Sequence, residues 1–270
     1  MCYSMPDGST LVYSKPKYFG FVTQLPKTLS VASKITFRKK SIPALSVVAL
    51  STAIFISFDQ PLLDGAQKFG RYIHLNSRND YKTLVSFKLG GTRVPVYEAP
   101  RNLNSAFYSI GEGFTSLALS GGLYVYGQIK HDYRTIQTAS QILQTQLAIG
   151  ITTQIIKRIT GRESPSRATA PGGVWRAFPS FAEFGNRTSK YDAMPSGHMT
   201  TMMGTVTVLA LNYPEKKWIK PVGYGIMALV GFAMMNNDVH WAGDYPLAIG
   251  IGYVSAQSTV RLNRWIRNEP

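Results

Sequence analysis

Two histidines and an aspartate hold the most reactive chemistry in this chain of 270 residues. His240 and Asp244 stand four positions apart in NNDVHWAGD, residues 236–244. On a helix that spacing sets both side chains on one face. A carboxylate bound to one ring nitrogen would fix the tautomer and leave the other nitrogen free. A histidine that must carry a phosphoryl group needs that arrangement. The same pair also makes a helix cap or a surface contact, so its meaning depends on its company.

Two other segments supply that company. IIKRITGRESPSR (155–167) packs Lys157, Arg158, Arg162 and Arg167 directly behind an apolar run, and Gly161 and Pro165 turn the chain there. Such a stretch serves either as an interfacial anchor of snorkelling side chains or as a phosphate grip, with lysine the mobile point charge and arginine the planar fork. In DAMPSGHMTT (192–201), Pro195 and Ser196 precede a second apolar run. Ser196 suits a helix N-cap, and Gly197 leaves backbone N–H open to an anion at the helix start. His198 then sits in the first turn, placed to donate a proton. Read together, the three segments fit in-line displacement at phosphorus. One histidine attacks, the other protonates the leaving oxygen, and the cations hold the equatorial oxygens. That chemistry needs no metal and no cofactor. No His-x-x-x-His pair accompanies these residues, and His74 and His131 lack comparable neighbours. Cys2 is the single cysteine, which excludes an intrachain disulfide and a cysteine-based metal cluster.

The elements that must position these residues are apolar runs at 41–58, 113–127, 138–156, 198–211, 220–235 and 245–260, each 14 to 19 residues long. A membrane helix needs about 20 residues, so each run is marginal alone. Long buried helices of a soluble domain would read similarly. Basic residues recur on alternate connections: Arg38, Lys39 and Lys40; Lys130 and Arg134; Lys216, Lys217 and Lys220; Arg261, Arg264 and Arg267. Positive charge kept on the cytoplasmic side gives that pattern, although the outward segments also carry basic residues, Lys68, Arg71, Arg78, Lys82 and Lys88 within 59–110 and a further group within 157–190. The pattern predicts six membrane-spanning or membrane-associated helices, with the segment 157–198 and the His240/Asp244 pair converging at the outer, extracytoplasmic face. Residues 1–40 read as an irregular or interfacial segment. Residues 41–270 read as one helical domain with outer loops at 59–112 and 157–197. The formal net charge of +15 forms no long Lys/Arg tract, and no zinc-finger or RNP-like pattern is present, so nucleic acid is not the expected partner. The N-terminus lacks the order of a cleavable signal. Oligomeric state is left open by the sequence.

The three segments resemble those of the type 2 phosphatidic acid phosphatase superfamily, which includes bacterial acid phosphatases and vanadium haloperoxidases. Its first motif, Lys, six residues, Arg-Pro, matches Lys157 and Pro165, with Ser164 in the arginine position. Its second, Pro-Ser-Gly-His, is intact as Pro195–His198. Its third, Ser-Arg, five residues, His, three residues, Asp, matches His240 and Asp244, with Ala233 and Met234 in the Ser-Arg positions. The resemblance covers about 110–260. It implies an all-α helical bundle with the site at one end, His240 as nucleophile, Asp244 as its orienting partner and His198 as general acid. Lys157, Ser196 and Gly197 would hold phosphate, and Arg158, Arg162 or Arg167 would substitute for the first missing arginine. Membrane members of the family act on lipid phosphates. The implied activity is a phosphomonoesterase or diphosphatase working through phosphohistidine on a lipid-linked phosphate. The alternative is a weakened relative that binds a lipid phosphate or other anion without efficient turnover.

Overall fold

A computed structural model describes residues 1–5 and 8–268, and each of the six apolar runs forms a helix there. The chain begins with strands β1 (Cys2–Ser4) and β2 (Ser9–Val12), then a single turn α1 (Gly20–Thr23) and helix α2 (Leu25–Thr36). The first apolar run is α3 (Ile42–Ser57), followed by α4 (Asp59–Tyr72). A hairpin of β3 (Tyr81–Leu89) and β4 (Thr92–Pro100) leads to α5 (Leu103–Ile110), α6 (Gly113–Lys130) and α7 (Tyr133–Thr160). A loop carrying the short α8 (Phe181–Asn186) precedes α9 (Gly197–Asn212), α10 (Ile219–Asn236), α11 (Tyr245–Asn263) and β5 (Trp265–Asn268).

Two parts of the expected fold class are corrected here. The chain is largely helical rather than all-α. β2 pairs antiparallel with both β1 and β5, joining the two ends of the chain, and β3–β4 is a separate antiparallel hairpin. Nor are there six membrane spans: among the described residues, two helical stretches, Lys39–Ser57 and Ile219–Asn236, are long and apolar enough to cross a membrane. The other runs are too short, as α9 is with 16 residues, or too polar in composition, as α7 is. α7 buries Gln137, Gln141, Gln144, Thr138, Thr145 and Thr153. Two of its amides meet neighbouring helices: Asn212 Nδ2 donates to Gln141 Oε1 at 2.5 Å, and Gln144 Nε2 donates to Thr28 Oγ1 at 2.6 Å. These bonds satisfy part of the polar interior of α7, while Gln137 Oε1, Gln141 Nε2 and Thr145 Oγ1 are buried without a hydrogen-bond partner among the described residues.

α9 and α11 pack most extensively, with α7, α6 and α10 around them. Their core is rich in methionine: Met199, Met202, Met203, Met227 and Met234 pack with Val206, Val230 and Ala248. α7 runs antiparallel to α9. At one end Thr160 Oγ1 donates to the Met194 carbonyl at 2.7 Å, and at the other Arg134 Nε donates to the Asn212 carbonyl at 2.6 Å. Arg134, counted in the sequence as a loop charge, is buried, paired to Glu215 at 2.7 Å and stacked over Tyr213. α3 runs antiparallel to α11, with Val48 beside Gly250 and Ile56 beside Gly243. The C-terminal ends of α3, α7 and α10 therefore meet the N-terminal ends of α9 and α11, and the three chemical segments share one end of the bundle.

Candidate active site

α7 ends at Gly161, whose φ of +54° is the left-handed conformation that closes a helix without a Cβ penalty. A Cβ there would overlap the Arg176 carbonyl. The turn sends Arg162 inward. Its Nη1 donates to Asp244 Oδ1 at 2.8 Å, and its Nη2 donates to Asp59 Oδ2 and to the Gly172 carbonyl. The guanidinium lies over the rings of Trp175 and Trp241, and all three charged side chains are wholly buried. Asp59, the first residue of α4, also accepts from the Gly243 N–H at 2.7 Å through Oδ1. Gly243 permits that approach, since a Cβ would lie 2.9 Å from the Asp59 carboxylate. Burial pushes the Asp59 carboxyl upward, and Arg162 and the Gly243 N–H oppose it.

The histidine–aspartate pair forms, but on a turn and not on the expected helical face. α10 ends at Asn236, and Ala242–Asp244 is one turn of 3-10 helix before α11. His240 Nδ1 lies 3.3 Å from Asp244 Oδ2, which also accepts the Trp241 N–H at 2.9 Å. Trp241 is pinned from its other end, Nε1 donating to the Glu163 carbonyl at 2.8 Å. Each Asp244 oxygen is thus occupied, one by Arg162 and the other by His240 and a backbone N–H.

Ser196 caps α9, its Oγ accepting the Met199 N–H at 3.4 Å, and the Ser196 N–H donates to the Asp244 carbonyl at 3.1 Å. His198 follows in the first turn. Its ring centroid is 6.2 Å from that of His240 and 4.4 Å from that of Tyr108 on α5. His198 Nε2 is sealed from solvent with no hydrogen-bond partner among the described residues. Burial, with His240 and Lys157 adding like charge, lowers its pKa from 6.5 to about 3.

The expected phosphate grip is divided by the fold. Lys157 is buried near the end of α7, with Nζ 3.4 Å from Asp192 Oδ2. Arg162 is wholly buried and neutralised by two carboxylates. Arg158 is half-buried, bonded to the Gln154 carbonyl and Oε1 and stacked on Phe184. Arg167 is exposed on the 3-10 turn Pro165–Arg167. Ser164 is buried, its N–H donating to the Ser189 carbonyl at 2.9 Å. Met234 is fully buried in the methionine core, with Sδ 3.8 Å from Ser196 Oγ. Asp59, Asp192, Glu163 and Trp241 went unread in the sequence. An acid directly after the first apolar run was the available signal for Asp59. Among the described residues, no group of three or more His, Cys, Asp or Glu is placed to hold a metal ion.

The sequence profile of the PAP2 superfamily matches residues 139–267, slightly under half of the chain and spanning all three segments. Among solved structures, the chain is similar to the crystal structure of the first transmembrane PAP2 type phosphatidylglycerolphosphate phosphatase from Bacillus subtilis. The identity is 12% and the TM-score 0.38, over 90% of this chain and 96% of that one. No curated protein matches the chain.

Proposed function

We propose that this chain is a metal-independent phosphatase of the PAP2 type, acting on a lipid-linked phosphate ester or diphosphate through a phosphohistidine on His240. The observation that carries this reading is the hydrogen-bonded His240–Asp244 pair with the His198 ring 6.2 Å away at a helix N-terminus. With Nδ1 committed to Asp244, Nε2 of His240 is the atom that attacks phosphorus. The bond from phosphorus to the leaving oxygen breaks as His198 protonates that oxygen. Water then adds to phosphorus, the P–N bond breaks and inorganic phosphate leaves, while His198 takes back a proton. His198 is neutral in the free site. The negative charge of an arriving phosphate favours its imidazolium form, so substrate binding arms the acid. Lys157, with Ser196 and Gly197 at the start of α9, holds the equatorial oxygens, and Arg158 and Arg167 lie on the segment flanking them.

The protein is read as integral to the membrane, with the site on the outer face. No residue of α3 is fully buried in the protein. Lys39, Lys40, Lys216, Lys217 and Arg261 lie at the bundle end remote from the histidines, but segments 59–112 and 157–197 on the histidine side are also rich in Lys and Arg. The outer face therefore rests on the alternate-connection pattern and not on a charge excess at one end.

The decisive experiment is phosphate release by detergent-purified protein from phosphatidate, phosphatidylglycerophosphate and undecaprenyl diphosphate, beside His240→Ala and His198→Ala. A wild type no faster than His240→Ala on all three would overturn the phosphatase. A second reading, an anion or lipid-phosphate binder with weak turnover, is favoured by one observation: Met234 occupies a fully apolar site where the resemblance implies a cation. It would show as saturable lipid-phosphate binding that survives loss of His240.

A further inference from the structure

α3 is apolar on all sides and lies on the surface: Val47, Leu50 and Ile54 are each more than half exposed. Between α3 and α2 on one side and α7 and α11 on the other runs a groove of about 630 Å³. Leu45, Val48, Ile156, Leu247, Ile251 and Val254 contribute to its apolar walls, and the contact of Val48 with Gly250 brings α3 against α11. Its lining also includes three cations, Arg38, Lys40 and Arg261, and no aspartate or glutamate. All three cations are exposed, and none takes part in an ion pair among the described residues. Arg38 Nε donates to Ser41 Oγ at 3.1 Å, which holds that side chain at the groove.

We propose that this groove is a binding site for a resident anionic phospholipid, its phosphate held by Arg38, Lys40 and Arg261 and an acyl chain laid along α3 and α11. An apolar trough open along a lipid-facing helix, with only positive charge at one end, has the polarity of an anionic phospholipid. A neutral apolar partner would leave the three cations unanswered. The lipid held here is not a substrate. α11 rises 1.5 Å per residue, so Arg261 stands about 25 Å along the bundle from Asp244. A phosphate at the cationic end is out of reach of His240. This site is therefore independent of the phosphatase reading, although both place α3 in lipid.

The test uses full-length protein stripped of lipid in neutral detergent and given phosphatidylglycerol or phosphatidylcholine with the same acyl chains. Bound lipid is counted by native mass spectrometry. Each cation near an anionic headgroup contributes about fivefold, so the wild type should prefer phosphatidylglycerol by roughly tenfold or more. Arg38→Gln/Lys40→Gln/Arg261→Gln should bring the two lipids to parity. Val48→Trp, which fills the groove without touching the cations, should lower uptake of both lipids. His198→Ala/His240→Ala should retain the preference. Equal uptake by the wild type, a preference that survives the triple substitution, or a preference lost with the histidines would each overturn the proposal, whatever the phosphate-release assay shows.

Discussion

Nη1 of Arg162 lies 2.8 Å from Oδ1 of Asp244, both side chains wholly buried, and the other terminal nitrogen of the same guanidinium holds Asp59. An arginine beside a phosphate motif invites reading as part of the grip. Here its charge is spent on fixing the carboxylate that fixes His240. Asp59 extends that chain of contacts to α4, outside the segment matched by the family profile.

Arg162→Met therefore leaves two buried carboxylates without their cation. Removing one partner of a buried ion pair costs about 3–5 kcal/mol, which thermal unfolding in detergent would read as a large drop in Tm. Turnover should fall through kcat, because Asp244 loses the bond that aims it at His240, while KM changes little. Arg162→Lys should rescue poorly, since one ammonium cannot bridge two carboxylates as a planar fork does. A stable Arg162→Met protein with raised KM and intact kcat would restore Arg162 to the phosphate grip.

Met234 sits where the family resemblance implies an arginine, and the obvious repair is Met234→Arg. The side chain is fully buried among Met199, Met202, Met203 and Val230, and a charge placed there without a partner is strongly disfavoured. Met234→Arg should lower stability by several kcal/mol and not raise phosphate release. Met234→Leu, a volume-conserving exchange, should cost under about 1.5 kcal/mol. A gain in activity from Met234→Arg in a stable protein would show that the side chain can turn toward the site.

Much of this was legible in the sequence, and the exceptions have a common cause. The apolar runs mark all six long helices, and the Ser196 cap follows from a hydroxyl before an apolar segment. Convergence at one bundle end follows from the alternating directions of those helices. Period and hydropathy do not say which neighbour answers a polar group. Six spans are the natural reading of such runs, yet Gln141 Oε1 and Gln144 Nε2 find partners inside the protein. Arg162 and Asp59 are 103 positions apart and meet only through tertiary packing. The His240–Asp244 contact was expected from helical spacing, yet a turn makes it, because α10 ends at Asn236.

Gly161 should be intolerant of any side chain. Its left-handed φ and the overlap of a Cβ with the Arg176 carbonyl both penalise alanine. Gly161→Ala should cost more than about 1 kcal/mol and reduce kcat, because the same turn aims Arg162. Gly185→Ala, where a Cβ meets nothing within 4 Å, is the matched control and should be near neutral. Thermal unfolding of the two variants in parallel decides it. Equal melting temperatures would mean that the end of α7 is free to relax.

His198 sets a pH dependence whose direction is fixed by its environment. Its folded-state pKa is lowered from 6.5 to about 3 by burial, His240 and Lys157. As pH falls below 6.5 the unfolded chain takes up a proton there and the folded chain does not, so stability is lost progressively toward pH 3. Above 6.5 the residue contributes no slope. The difference in Tm between wild type and His198→Gln, followed from pH 8 downward, isolates this residue from the carboxylates that titrate in the same window. The wild type should lose stability faster than the variant on acidification. Inorganic phosphate should reduce that loss, because an anion beside the imidazole favours its protonated form. Parallel curves for the two proteins would show that His198 is open to water in solution. A wild-type acid slope that phosphate leaves unchanged would mean that no anion binds beside this ring.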